Sequence, residues 1–230
     1  MYPKLANLQS KNLGYLAIIM GFISSQSIYA GPLVNTDDAT IIDQNHCEID
    51  SSYINPKLSD STYSLDLTCT VIPNLESKIG FSRLSHNTQE RVWTGELKTV
   101  VKPLDTWGVA SSLSASHNHY EDEKSNWDWF FNVPITYVVN NDLSIDVNVG
   151  YEHSDSESNL VRWGTAGTYQ INEKFAVVLE SYNLDKSKPF YQAVIQHELV
   201  PDVFTLEASV GDRFKSFNER WVGLGVNFKL

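Results

Sequence analysis

Trp127-Asp128-Trp129-Phe130-Phe131-Asn132-Val133-Pro134-Ile135-Thr136-Tyr137-Val138-Val139, then Asn140-Asn141-Asp142, then Leu143-Ser144-Ile145-Asp146-Val147-Asn148-Val149-Gly150-Tyr151, is the stretch that decides the fold. Every second residue of the first run is Trp127, Trp129, Phe131, Val133, Ile135, Tyr137 and Val139. The second run divides into Leu143, Ile145, Val147, Val149 and Tyr151 against Ser144, Asp146, Asn148 and Gly150. Alternation with period two marks β-strands, whose successive side chains leave on opposite faces. Asn-Asn-Asp between them is turn chemistry, so the unit reads as a hairpin. Its apolar rows begin or end in aromatics. A soluble sheet buries such a row in a core, whereas a membrane barrel turns it to lipid and rims it with Trp and Tyr.

Working outward, strand-like runs alternate with turn signals from Cys47 to the last residue. Twelve strands are expected, over 47–55, 61–72, 75–85, 90–101, 105–117, 126–139, 143–153, 160–171, 174–183, 190–199, 203–212 and 219–230. Alternate connections differ in kind. One set is mostly long and polar (Asn55–Asp60, Ser85–Gln89, Asn118–Ser125, Ser154–Asn159, Leu184–Pro189, Arg213–Asn218). The other is tight and centres on Pro73-Asn74, Lys102-Pro103-Leu104, Asn140-Asn141-Asp142, Asn172-Glu173 and Val200-Pro201-Asp202. Long loops outside and short turns in the periplasm are the habit of outer-membrane barrels. Trp93, Trp127, Trp129, Tyr151, Trp163 and Tyr191 fall near one set of strand ends, and Trp107, Tyr137, Tyr169, Phe175 and Phe204 near the other. Two aromatic belts from one assignment select an all-β, transmembrane, antiparallel up-and-down barrel over a secreted β-sandwich.

The amino terminus reads differently. Lys4 and Lys11 precede the short apolar core Tyr15–Ile23, and a small, polar stretch ends at Ile28-Tyr29-Ala30. This is the pattern of an export signal cleaved after Ala30, and the core is too short for a spanning helix. Residues 31–46 then form a periplasmic N-terminal segment of a length that can fold inward as a plug, and 47–230 the barrel. The chain has 17 Lys and Arg; without Lys4 and Lys11, 15 remain against 28 acids, a net charge of −13. That opposes nucleic-acid and polybasic lipid binding. Folding the first hairpin about Leu58 sets Tyr53 opposite Tyr63, Ile49 opposite Leu67 and Cys47 opposite Cys69. An exported pair so placed is expected to form a cross-strand disulfide.

Two resemblances follow from quoted residues. Trp221-Val-Gly-Leu-Gly-Val-Asn-Phe-Lys-Leu230 resembles the carboxy-terminal signal by which barrel proteins are recognised by the insertion machinery. It ends on Leu230 where that signal usually has an aromatic, with Phe228 two residues earlier. Gly31-Pro-Leu-Val-Asn-Thr-Asp-Asp-Ala39, with Asp43 and Cys47-Glu48, resembles the opening of a family of Gram-negative outer-membrane proteins described as transporter-like or as components of phenol-degradation (meta-pathway) operons. That resemblance implies an outer-membrane location and a solute-passage role, and supplies no catalytic residues.

With apolar rows outward, the lumen is expected to receive Glu48, Asp50, Asp66, Glu96, Asp146, Glu152, Glu180, Glu198 and Glu207, and the bases Lys78, Lys98, Arg162, Arg220 and Lys229. An excess of carboxylates in a water-filled lumen raises the local cation concentration. Three readings stay open: a passive pore or transporter for small solutes with mild cation preference, a closed structural or surface-interaction barrel, and an uptake channel for apolar solutes. An enzyme is not expected, because no Ser–His pair shares a strand face: Asp155 follows His153 at that spacing and Leu199 follows His197. His117 and His119, with Glu121-Asp122-Glu123, are a weak Zn²⁺ or Cu²⁺ candidate, and a solvated loop is the plainer account. No cofactor is expected. The partners expected are outer-membrane lipid, the insertion machinery and a small solute.

Overall fold

The computed structural model describes residues 31–57, 60–85, 90–119, 125–155, 158–214 and 216–230, and of 216–218 only the backbone. The export-signal region and the acids Glu121–Glu123 lie outside the described residues. The strands are β1 (Cys47–Pro56), β2 (Ser61–Ile72), β3 (Leu75–Ser85), β4 (Arg91–Lys102), β5 (Trp107–His119), β6 (Asn126–Asn140), β7 (Leu143–Ser154), β8 (Leu160–Asn172), β9 (Phe175–Tyr182), β10 (Phe190–Val200), β11 (Phe204–Arg213) and β12 (Ser216–Lys229). Each pairs antiparallel with its neighbours in sequence, and β1 pairs with β12 to close the barrel. Closure leaves no edge strand with unpaired N–H and C=O groups, which a bilayer cannot hydrate.

Alternation decides which side chains go where. Along β6, Trp127, Trp129, Phe131, Ile135, Tyr137 and Val139 are exposed on the outer wall, while Asn132, Pro134 and Thr136 are buried inside. Along β7, Ile145, Val147, Val149 and Tyr151 are exposed and Ser144, Asp146 and Asn148 buried. This inverts a water-soluble fold. Trp93, Trp163 and Tyr191 stand exposed toward the loop end, and Trp107, Tyr169 and Phe175 toward the turn end. The outer wall is therefore an apolar band rimmed by aromatics, the surface a barrel presents to lipid.

The turn end is built by local chemistry. Asn74 and Asp202 take positive φ (60° and 58°), which short polar side chains tolerate. The β6–β7 turn instead uses a side chain, the Asp142 N–H donating to Asn140 Oδ1 at 2.9 Å. At the other end β12 begins at Ser216, earlier than expected. A bulge after Gly211 lets Arg213 pair with Ser216 and extends the hairpin.

The β1–β2 register is the one the sequence implies, with Tyr53 opposite Tyr63, Ile49 opposite Leu67 and Cys47 opposite Cys69. Cys47 and Cys69 are disulfide-bonded across a sequence separation of 22. A loop of that size removes about 3 kcal/mol of chain entropy from the unfolded state. Cys47→Ser with Cys69→Ser is therefore expected to lower barrel stability by about that amount, read as a lower urea midpoint for loss of the heat-modifiable folded band. An unchanged midpoint would contradict the assignment.

Candidate functional site: a chain segment inside the lumen

The inward rows of the sheet are largely polar, yet they do not surround open water alone. Residues 31–42 lie among them, with Leu33, Thr36, Asp38, Ala39 and Ile42 buried, and exposed residues 43–46 lead on to β1. By the positions of its partners along their strands, the segment begins beside Glu207 and Gly225. It climbs to Thr36 beside Gly164, then descends past Thr136 to Glu76 and enters β1 at Cys47. Such a path carries many backbone N–H groups without strand partners, and barrel side chains satisfy them. Leu33 N–H donates to Glu207 Oε2 (3.1 Å) and Asn35 N–H to Glu180 Oε2 (3.2 Å), while Thr36 N–H donates to Glu180 Oε1. Asp37 N–H donates to Asn148 Oδ1, Ala39 N–H to Thr136 Oγ1 and Ile42 N–H to Glu76 Oε2, each at 2.8 Å. In the opposite sense, Gln192 Nε2 donates to the Leu33 carbonyl (2.7 Å) and Asn148 Nδ2 to that of Asp37 (2.6 Å).

Two further contacts fix the segment. Leu33 packs with Ala166, Val178 and Val194, an apolar patch on the inner wall, and full burial of a leucine is worth about 2 kcal/mol. Lys98, 5% exposed, places Nζ 2.8 Å from Asp37 Oδ1 and 3.8 Å from Asp38 Oδ1. Glycines on the inner rows make room. A Cβ on Gly164 would lie 2.5 Å from Thr36 Oγ1, and one on Gly225 would lie 2.9 Å from Pro32 Cγ.

The candidates named from sequence thus divide into several groups. Glu180, Glu207 and Lys98 hold the segment, and Asp146 supports it through Thr136 Oγ1, which donates to Asp146 Oδ1 at 2.6 Å. Glu152 and Arg162 pair at the loop end (Nε–Oε2 2.5 Å), with the guanidinium over Phe130. Glu198 accepts from the Asp202 N–H at 2.6 Å and shapes a turn. Glu96 lines an open cavity. Arg220 is not in the lumen. It stands on the outer row with Val222 and Leu224, its side chain 59% exposed, and its Nε is 2.9 Å from Asp212 Oδ2. Strand parity is the reason, since the inward residues of β12 are Trp221, Gly223, Gly225 and Asn227. His117 lies on the outer wall against Trp127 (ring centroids 4.8 Å), and His119 Nδ1 is 3.1 Å from Ser125 Oγ. The sequence reading omitted Glu76, Thr136, Asn148 and Gln192. Parity with Lys78 signals Glu76; the other three carry no charge to mark them.

Beside the segment, space remains. Toward the loop end a cavity of about 380 Å³ is lined by Glu90, Asp128, Glu152, Arg162 and Lys186 among others. A smaller one of about 80 Å³ shares Arg162 with it. That in turn shares Asn35, Phe130 and Asn132 with a third, of about 210 Å³, walled by Asp37, Asp50, Asp66, Lys78 and Glu96. Above them Asp185 tethers the β9–β10 loop to β11. Its partial burial would raise its carboxyl, but hydrogen bonds from Arg213 and Ser187 hold it below the usual carboxylate range.

Comparison with known proteins follows this geometry. The KdgM porin structure superposes with a TM-score of 0.66 at 10% identity, over 79% of this chain and 98% of that one. The COG4313 outer membrane channel from Pseudomonas putida F1 gives 0.52 at 10% identity, over 80% and 94%. The outer membrane phospholipase A from Escherichia coli also gives 0.52 at 10%, over 83% and 94%. These likenesses establish a shared outer-membrane-barrel fold, common to porins and to an enzyme, and do not select the phenol-degradation family suggested by Gly31–Ala39. No curated protein sequence matches the chain. Residues 18–230 match the family model described as uncharacterised conserved protein UCP029691, and the chain belongs to that family.

Proposed function

We propose that this protein is an outer-membrane passive pore for small polar solutes, with its loop end outside, whose lumen is gated by residues 31–46. The observation that carries the reading is the manner in which the segment is held. It pairs with side chains of the inner wall through single hydrogen bonds and one ion-pair cluster, and in the lumen it is not a strand of the sheet. Such contacts break locally while the barrel stays closed. The string of cavities beside it supports this reading. No hydrolytic role is proposed: His153 faces Asn159 Oδ1 at 2.8 Å, and His197 stacks on Phe175 with centroids 4.0 Å apart.

The charge of the open wall sets the ion preference. Asp50, Asp66 and Glu96 lie beside Lys78 on the adjacent strands β1–β4, where they line the third cavity, whereas Glu180 and Glu207 are engaged by the segment. Asp66→Asn with Glu96→Gln should therefore lower the cation-to-anion permeability ratio by about twofold or more, measured as reversal potential across a planar bilayer under a KCl gradient. An unchanged potential would remove these carboxylates from the conduction path. Swelling of liposomes that carry the wild-type protein, when placed in neutral sugars, is the result expected of solute passage. Inserted protein that gives neither swelling nor current would favour a closed structural barrel.

A further inference from the structure

Glu207 sits on the inward row of β11 and is 4% exposed. Its Oε1 accepts from Gln196 Nε2 at 2.8 Å and its Oε2 from the Leu33 N–H. Among the described residues, the ion pairs are those of Lys98, His153, Arg162, Arg213, Arg220 and Lys229, and none of them involves Glu207. A carboxylate withdrawn from water normally has its charge met by a cation. What stands against Oε1 is Gly31, where a Cβ would lie 1.5 Å from it. Standard dimensions put a residue's nitrogen about 2.5 Å from its Cβ position, so Gly31 N is within about 4 Å of Oε1. That is ion-pairing reach.

In the uncut chain this nitrogen belongs to the Ala30–Gly31 peptide bond. Hydrolysis of that bond consumes one water, leaves a carboxylate on Ala30 and frees an amine on Gly31, which takes up a proton. We propose that this α-ammonium group, created by removal of the export signal, is the cationic partner of Glu207 and fastens the start of the lumen segment. Glycine at the new terminus is then explained, because any side chain there would displace the carboxylate.

The test uses protein extracted from outer membranes. Mass analysis of the intact chain should place the terminus at Gly31, and a terminus at another residue overturns the proposal. Acetylation of the Gly31 amine by an N-hydroxysuccinimide ester at neutral pH, followed by peptide mass analysis, should be slow in the wild type because the paired ammonium form is unreactive. Glu207→Gln should label about fivefold faster or more. A second variant, with one Ser inserted after Ala30, moves the amine away from an intact Glu207 and should also label faster. Equal rates in wild type and in whichever variants insert as heat-modifiable barrels overturn the pair. The consequence for opening rests on the gate proposed above, but labelling does not. Faster labelling with unchanged conductance supports the pair and counts against the gate alone.

Discussion

Lys98→Met is expected to free the lumen segment and raise the opening frequency of the pore by about two orders of magnitude. Lys98 is buried, lies against Asp37 and Asp38, and is the cation of the only ion-pair cluster between segment and wall among the described residues. Removing one partner of a buried pair typically costs about 3–5 kcal/mol, because the charge left behind is neither hydrated nor paired. Of the carboxylates left without Lys98, Glu76 is fixed on β3, whereas Asp37 and Asp38 belong to the segment itself, so the cheapest relief is for these two to leave for water. Methionine keeps the length and apolar stem of lysine, so the β4 packing is preserved. Amide exchange at Asp37, Ala39 and Ile42 should accelerate by a similar factor while strand amides keep their protection. Unchanged exchange in a folded Lys98→Met barrel would show that the ion pair does not hold the segment.

Gly164→Leu should evict the upper part of the segment by crowding alone. The added Cβ meets Thr36, which is 1% exposed, and the longer side chain intrudes on the path of the segment. Overpacking of this kind costs about 1–3 kcal/mol, enough to shift the occupancy of the segment by about fivefold or more. Exchange should therefore rise most at Asn35–Asp37 and less at Ile42, which hangs on Glu76. Gly167, in the same strand but on the outward row with Thr165 and Tyr169, has open space where its Cβ would be, so Gly167→Leu controls for effects on the strand itself. Equal behaviour of the two variants would mean that the segment does not press on the wall at residue 164.

The two predictions rest on features that the sequence shows unequally. Strand alternation is a property of neighbouring residues, so β6 and β7 are legible directly, as is the opposition of Cys47 to Cys69 across one turn. Outward aromatics are legible for the same reason. The charge of Arg220 points to the lumen but its parity with Val222 and Leu224 points outward, and a rim position beside Asp212 satisfies that charge without the lumen. What Glu180 and Glu207 do was not legible. Their partners are backbone N–H groups about 145 and 174 residues away, and a backbone N–H has no residue signature. The inner glycines have the same character. Their absence of a side chain matters only once the segment is known to pass there.

The most direct measurement is single-channel conductance of the wild-type protein and of a chain lacking residues 31–42, each shown to be a folded, inserted barrel. That deletion removes every segment contact with Glu207, Glu180, Asn148, Lys98, Thr136 and Glu76, and keeps Cys47 and β1. The account predicts brief or rare openings in the wild type and a steady current of higher conductance in the deletion. Equal currents in the two, or silence from both, would contradict a lumen gated by its own amino-terminal segment.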